Sequence, residues 1–195
     1  MKILVVLGHP NPSQSFNRSV CETIMQTLGT MGHEVIFHDL YAEHFDPWMT
    51  YEETVKDGPI PETMRPYIDE ALSADGYVFV HPNWWGGPPA VLRGYIDRVY
   101  RSGIVYSFGP NGIISRIAGR RAMVITTSNT PREVEISVYN DPLENFWKTV
   151  FFGMLGIDGD HFRRRNFESV IMSTHEQRVR WLEQTQQLTE KVFGS

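Results

Sequence analysis

The sequence contains only one cysteine, has no long basic run, and has no apolar stretch long enough to span a membrane. A single cysteine, Cys21, excludes an intramolecular disulfide and is a poor start for a structural zinc site. Since Val20 and Ile24 flank it at helical spacing, we expect it to be a small buried hydrophobic residue. The 18 basic and 23 acidic residues give a net charge of −5, which argues against a nucleic-acid partner. We therefore expect a cytoplasmic protein with no nucleic-acid partner and no membrane insertion.

Several familiar site patterns are missing as well. The seven histidines are scattered and form no H-E-x-x-H spacing, so we predict no catalytic metal. The glycines of the G-x-G-x-x-G and G-x-x-x-x-G-K-[ST] patterns are also absent. The N-terminus lacks a basic start followed by an apolar region and a cleavage site, and its apolar run is too short, so we expect no signal peptide.

What the sequence does contain is a regular alternation of buried strands and amphipathic helices. Apolar runs at 3–7, 34–38, 77–81, 121–127 and within 161–167 predict five strands. Segments with helical spacing begin near Ser15 and recur at 62–74, 90–101, 145–155 and 176–193. The predicted fold class is α/β, a doubly wound three-layer sandwich whose five-stranded parallel sheet has helices on both faces. We expect residues 1–195 to form one domain, with irregular connections at 39–61 and 104–119.

The first strand leads into a loop suited to a phosphate group. After Gly8 the chain runs through His9, Ser13 and Ser15 into a helix that carries Asn17 near its start. The first N–H groups of a helix have no internal partner, and the helix dipole favours an anion there. Hydroxyl, amide and imidazole groups can add hydrogen bonds. The residues alone leave a second interpretation open, in which Ser13 or Ser15 only caps the helix.

Two further loops follow strands and suit a flat ring. The stretch PNWWGGPP at 82–89 presents Trp84 and Trp85 beside Gly86, and adjacent tryptophans suit the face or edge of an aromatic ligand. The alternative is that one tryptophan packs against the next helix. The stretch TTSNT at 126–130 is a polar strand exit that can bond ring heteroatoms or can simply form turns and caps. A phosphate loop beside two ring-binding loops favours a flavin nucleotide, which itself carries redox chemistry.

These loops carry a family resemblance. The sequence resembles the flavodoxin-like NAD(P)H:quinone oxidoreductases of the DT-diaphorase and modulator-of-drug-activity type over roughly residues 1–180. The resemblance is carried by G-H-P and S-F-N within 8–17, by D-L-Y-A at 39–42, by PNWWGGPPAVLRGYIDRV at 82–99, and by the pair of threonines at 126–127.

The resemblance implies a homodimer with a flavin at its interface and a two-step reaction. NADPH or NADH reduces the flavin by hydride transfer and leaves, and a quinone-type acceptor then takes two electrons. It also implies roles for particular residues. The residues implied to bind the flavin phosphate are His9, Ser15, Phe16 and Asn17, and those implied to line the flavin ring are Pro82, Asn83, Trp84 and Trp85. Thr126 and Thr127 are implied to face the polar edge of the ring. Tyr106 and Phe108 match aromatic positions near the substrate. From the loops themselves, Ser13, Gly86, Ser128 and Asn129 are added as candidate cofactor contacts.

This sequence departs from the family pattern after the fourth strand. The turn Thr127-Ser128-Asn129 lacks the family's glycines, and Tyr139 falls at the position of a family histidine. Tyr139 and Tyr106 are therefore the candidate catalytic residues, since a phenol can donate a hydrogen bond to a substrate oxygen. The chain is shorter than family members that bind FAD, so we expect FMN, with FAD as the alternative. Two other functions stay open, a flavin-binding ancillary subunit of a potassium efflux system and a flavodoxin-like electron carrier.

Overall fold

A computed structural model describes residues 1–11, 15–55 and 57–194. The strands are β1 (Lys2–Leu7), β2 (Glu34–Asp39), β3 (Gly76–Pro82), β4 (Tyr106–Gly109), β5 (Gly112–Ser115), β6 (Arg121–Thr127) and β7 (Phe162–Phe167). The α-helices are α1 (Phe16–Thr30), α2 (Tyr51–Thr54), α3 (Arg65–Ser73), α4 (Ala90–Val99), α5 (Arg132–Ser137), α6 (Pro142–Glu144) and α7 (His175–Phe193). Three-residue 3₁₀ turns lie at Glu62–Met64, Gly159–His161 and Val170–Met172, and a π-helix at Asn145–Gly153.

The main sheet has five parallel strands in the order β2-β1-β3-β6-β7, which confirms the predicted fold class. The chain moves outward from β1 to β2 on one side and from β3 to β7 on the other. The topological switch point therefore lies between β1 and β3, where an open α/β sheet places its ligand site. Just after β1, the Gly8 N–H donates to the Val80 carbonyl of β3 at 2.9 Å, so the loops that follow β1 and β3 leave the sheet side by side.

Both faces of the sheet are covered by hydrophobic residues. On one face Leu4, Val6 and Phe79 belong to the cluster that includes α3, α4 and the π-helix. On the other face Val5 and Val80 pack with α1 and α7. This two-sided burial explains why the strands are continuous apolar runs. Cys21 is buried on α1 as predicted, and burial raises the pKa of its thiol.

One sequence prediction about local structure is wrong, and a second is confirmed only as to its helical character. The segment 104–119 is not irregular, because β4 and β5 form an antiparallel hairpin within it. The segment 145–155 is helical, but most of it is a π-helix rather than an α-helix. Hairpin strands of four residues with glycines at both inner ends carry little periodic signal, and hydrophobic spacing does not distinguish a π-helix of this length.

The long connection between β2 and α3 is attached to α4 by a buried ion pair. Arg98 of α4 bonds Glu53 of α2 through Nε at 3.2 Å and Nη2 at 3.1 Å, and both residues are almost fully buried. Arg98 Nη1 also donates to the Asp46 carbonyl at 2.7 Å. None of the helices in the described part of the chain has the length and apolar character needed to cross a bilayer.

Candidate active site

A cavity of about 870 Å³ lies at the carboxyl ends of β1, β3 and β6. Its volume is in the range of small-molecule and cofactor sites. The predicted site residues that line it are His9, Ser15, Phe16, Asn17, Pro82, Asn83, Trp84, Trp85, Gly86, Thr127, Ser128, Asn129 and Tyr139. Ser13, also predicted as a cofactor contact, lies outside the described residues. The tertiary structure thus brings the three predicted loops to one cavity.

The N-terminus of α1 forms one end of the cavity. Ser15 is the N-cap, and its Oγ accepts the Arg18 N–H at 3.1 Å. The first N–H groups of α1 have no partner within the helix and carry the positive end of its dipole. Phe16 sets the position of this turn, because its ring contacts Phe167 and Trp181 at centroid distances of 5.6 Å. Ser15 therefore caps α1, as the second interpretation of the sequence predicted, and the capped end of the helix also opens onto the cavity.

His9 presents a defined hydrogen-bond donor to this end of the cavity. Its Nδ1 accepts the Asn11 N–H at 3.1 Å, so the neutral imidazole carries its proton on Nε2. Burial lowers the pKa of His9 and outweighs the opposite effects of Asn11 and Asp39. His9 is therefore a neutral donor at pH 7 rather than a cation.

Asn17 joins the first loop to the third. Its Nδ2 donates to Thr127 Oγ1 at 2.9 Å, and the Thr127 hydroxyl lies 3.3 Å from Asn17 Oδ1. Both side chains are buried. The pair therefore joins the start of α1 directly to the end of β6 in the lining of the cavity.

The tryptophan loop is a two-residue hairpin turn. Trp84 and Gly87 exchange two backbone hydrogen bonds of 3.0 Å, and the two residues between them have positive φ, 55° at Trp85 and 74° at Gly86. Such turns favour glycine and asparagine, so a tryptophan with positive φ is strained. Trp85 is fully exposed and Trp84 is 44% exposed, so neither is buried against the next helix. The strained turn presents both rings at the cavity.

Three residues predicted near the site, Thr126, Tyr106 and Phe108, lie elsewhere. Thr126 is fully buried and its hydroxyl donates to Asn166 Oδ1 at 2.8 Å, because neighbouring residues of a strand point to opposite faces and Thr127 takes the cavity side. Tyr106 lies on β4 and lines a different cavity, of about 1190 Å³, together with Phe108. Tyr139 lines the first cavity and is more than half exposed.

The cavity also has lining residues that the sequence analysis missed. They are Asn11, Glu135, Asp141, Pro142, Val170, Ile171 and Arg178, and Thr130 at the end of the TTSNT stretch lines the cavity too. Asp141 is the N-cap of α6 and its Oδ1 accepts the Glu144 N–H at 3.1 Å, so the Asp-Pro pair was a helix-start signal that could have located it. Arg178, on the first turn of α7, donates to Ser173 Oγ at 2.8 Å and to the Val170 carbonyl at 3.1 Å. No pattern in the sequence marks Glu135.

Charge within the lining is limited. Arg178 is the only lysine or arginine among the described lining residues, and Glu135 and Asp141 supply carboxylates. Within 1–11, 15–55 and 57–194, no three His, Cys, Asp or Glu side chains come together in a way that could hold a metal ion. The cavity therefore offers a helix N-terminus, one guanidinium and a neutral imidazole to an anion, and aromatic faces to a planar group.

The strand order and the cavity at the switch point define a flavodoxin-like α/β protein. The family model described as having a flavodoxin-like fold matches residues 1–187, and the chain belongs to this family. Among solved structures, Smu.1420 from Streptococcus mutans UA159 superposes with a TM-score of 0.85 at 34% identity, over 97% of this chain and 98% of that chain.

Curated relatives carry oxidoreductase names. The chain is 40% identical over 108 residues to an uncharacterized NAD(P)H oxidoreductase of Haemophilus influenzae, a match that covers 54% of each protein. It is 30% identical over 146 residues to the FMN-dependent NADH:quinone oxidoreductase of Geobacillus kaustophilus, over 64% of this chain and 67% of that protein. For several relatives the match spans little more than half of their length, 54% to 57%.

Proposed function

We propose that this protein is a flavin-dependent NAD(P)H oxidoreductase that reduces quinones or related acceptors and uses FMN. The observation that carries the proposal is one cavity lined both by the N-terminus of α1 and by the exposed tryptophan turn. The names of the relatives, quinone oxidoreductases that depend on FMN among them, support the same activity.

The residues present fit a flavin mononucleotide. The first turn of α1, His9 Nε2–H and the Arg178 guanidinium would hold its phosphate. Trp84 and Trp85 would contact the ring, and the polar groups after β6 would bond its heteroatoms. One guanidinium in the described lining suits a single phosphate, which favours FMN over the FAD alternative.

A bound flavin would supply the redox step, taking a hydride from NADPH or NADH and passing two electrons to the acceptor. This chain binds and orients the reactants. The strained turn places both indole side chains in the lining of the cavity. The Tyr139 hydroxyl, at the exposed side of the cavity, can donate a hydrogen bond to an acceptor oxygen.

We also propose a homodimer in which residues 1–195 form one flavin-binding domain in the cytoplasm. Three large aromatic side chains, Trp48, Tyr51 and Phe108, are each more than 70% exposed. Phe108 lines the second cavity, and Trp48 and Tyr51 belong to the long connection that supplies other residues of its lining. A second copy covering this surface would bury them and would close the cavity that Tyr106 lines. Tyr106 would then act at the interface between copies, which accounts for its separation from the first cavity. Dimer mass by light scattering tests this assembly.

The purified protein is expected to be yellow and to release FMN on denaturation. NADH or NADPH should bleach the flavin absorbance under anaerobic conditions, and a quinone should restore it. A colourless protein that takes up neither FMN nor FAD contradicts the proposal. Flavin that binds but reduces no acceptor would instead favour the ancillary subunit, or, in a monomer, the electron carrier.

The Trp85→Gly variant is expected to be more stable than the wild type by about 1 kcal/mol and to bind flavin more weakly. Glycine adopts positive φ without the strain that a tryptophan side chain causes, whereas loss of the indole removes a contact to the ring. Chemical denaturation of the flavin-free protein and flavin titration measure the two effects. Trp85→Ala is the control, because it loses the same ring but keeps a Cβ at positive φ, so it should weaken flavin binding without the gain in stability. A Trp85→Gly protein that is less stable and keeps its flavin affinity would contradict both claims.

The Asn17→Ala variant is expected to weaken flavin binding by about tenfold and to lower stability by about 1–3 kcal/mol. The change leaves the buried Thr127 hydroxyl without its partner and releases the start of α1 from β6. Gln26→Ala, an exposed change on the same helix, should alter neither quantity. Flavin affinity that is equal in both variants would show that the pair does not position the anion site.

A further inference from the structure

The buried carboxylate of Glu135 lies at the centre of a hydrogen-bond network beside the cavity. Its Oε1 accepts Asn83 Nδ2 at 2.9 Å, and its Oε2 accepts Asn166 Nδ2 at 2.6 Å. Asn166 Oδ1 accepts the Thr126 hydroxyl at 2.8 Å, and Asn83 Oδ1 accepts the Gly86 N–H at 2.9 Å. The network therefore connects α5 with the ends of β6 and β7 and with the tryptophan turn.

The hydrogen bonds around Glu135 fit an ionised carboxylate. A backbone N–H can only donate, so the bond from Gly86 requires the oxygen of the Asn83 amide to face the turn and its NH₂ to face Glu135. With both of its oxygens accepting, Glu135 is suited to the ionised form. Glu135 is 4% exposed and takes part in no salt bridge within the described part of the chain. The site thus contains a buried negative charge held by two neutral amides.

We propose that Glu135 is a positioning residue of the flavin site, with two effects. Its carboxylate fixes Asn83, and through Asn83 the turn that carries Trp84 and Trp85. Its fixed charge also makes it harder to place negative charge on the bound ring. The second effect rests on the proposed function, whereas the first is a property of the chain itself.

The electrostatic effect follows from the charge balance of hydride transfer. A hydride carries two electrons and one proton, so a neutral ring that takes a hydride from NAD(P)H gains a charge of −1 and leaves NAD(P)⁺. A buried carboxylate at the same cavity repels that charge, and the low dielectric of the interior strengthens the repulsion. Glu135 therefore lowers the reduction potential of the bound flavin, which favours delivery of electrons to the acceptor.

Three variants of Glu135 separate the two effects. Glu135→Gln removes the charge at constant volume, Glu135→Asp keeps the charge but withdraws it from the two amides, and Glu135→Ala removes both. Glu133→Gln is the matched control, since Glu133 lies on the same helix, carries the same charge and is exposed. The two readouts are the midpoint potential of the holoprotein, measured by dye equilibration, and the hydrogen exchange rate of the Gly86 amide in the flavin-free protein.

We expect Glu135→Gln to raise the midpoint potential by about 30 mV, the equivalent of a tenfold change for a two-electron couple, while Glu135→Asp and Glu133→Gln stay near the wild type. We expect Gly86 exchange to be about tenfold faster in Glu135→Ala and unchanged in Glu133→Gln. Equal shifts in Glu135→Gln and Glu133→Gln, or a full shift in Glu135→Asp, would overturn the electrostatic effect. Unchanged Gly86 exchange in Glu135→Ala would overturn the positioning effect, and this measurement needs no flavin, so it stands apart from the proposed function.

Discussion

The Arg98→Ala variant is expected to lose about 3–5 kcal/mol of its free energy of unfolding. Truncation removes the two bonds of 3.1 and 3.2 Å to the buried Glu53 carboxylate and leaves it with the more distant Arg101 guanidinium, at 3.8 Å, as its remaining cation. The Asp46 carbonyl loses its donor at the same time. Two separate points of the long connection therefore lose their attachment to α4 in one substitution. Urea denaturation, with the slope compared between variants, measures the loss.

Arg93→Ala is the control for this prediction. Arg93 lies on the same helix and pairs with Asp97 at 3.2 Å, but both side chains are about half exposed. A solvated pair of this kind contributes little, so the control should change stability by less than about 1 kcal/mol. Equal effects of the two variants would show that burial does not distinguish these ion pairs. Because Glu53 also lines the second cavity, Arg98→Ala should in addition weaken the proposed dimer.

Lowering the pH from about 6.5 to about 4 is expected to remove roughly 3 kcal/mol of stability through His81 alone. His81 is fully buried at the end of β3, and burial, with a smaller contribution from Arg164, lowers its pKa to about 4 against the opposing bond to Pro82. Trp147 Nε1 donates to His81 Nε2 at 3.0 Å and His81 Nδ1 lies 2.8 Å from the Pro82 carbonyl, so the ring is held neutral with its proton on Nδ1.

The sign follows from proton linkage. Below pH 6.5, His81 of the unfolded chain binds a proton, whereas His81 of the folded chain binds it only near pH 4. The folded state is therefore most stable, with respect to this group, above pH 6.5, and it loses stability as the pH falls toward 4. Unfolding free energies measured at several pH values should fall more steeply in the wild type than in His81→Asn. The exposed His175→Gln variant is the control and should keep the wild-type slope. A His81→Asn slope equal to that of the wild type would contradict the prediction.

Much of the fold could be predicted because its strands are buried on both faces. A run such as 121–127 matches β6 residue for residue, since a central parallel strand needs continuous apolar side chains. The β4–β5 hairpin could not be predicted, because it lies outside the main sheet and leaves Phe108 exposed rather than buried. The helix at 145–153 was predicted but its π character was not, since hydrophobic spacing shows which side chains are buried and not which carbonyl each backbone N–H bonds.

The candidate site could also be predicted only in part. The loops after β1, β3 and β6 were predictable because carboxyl ends of parallel strands converge at a switch point, and each loop has a composition unlike its strand. The choice between Thr126 and Thr127 depends on which face of β6 each residue occupies, and the pair of threonines does not show that. Tyr106 was assigned to the substrate from resemblance alone, and the structure places it on a second cavity.

The sequence by itself determined the five strands, the helices between them and the three loops that meet at the cavity, because hydrophobic periodicity and loop composition are local properties. Only the tertiary structure decided that Glu135 stands between Asn83 and Asn166, that Asn17 joins Thr127, and that a tryptophan is held at positive φ. These features depend on contacts between residues far apart in the chain, or on a turn whose geometry favours glycine. A one-dimensional pattern of residue types carries no record of either.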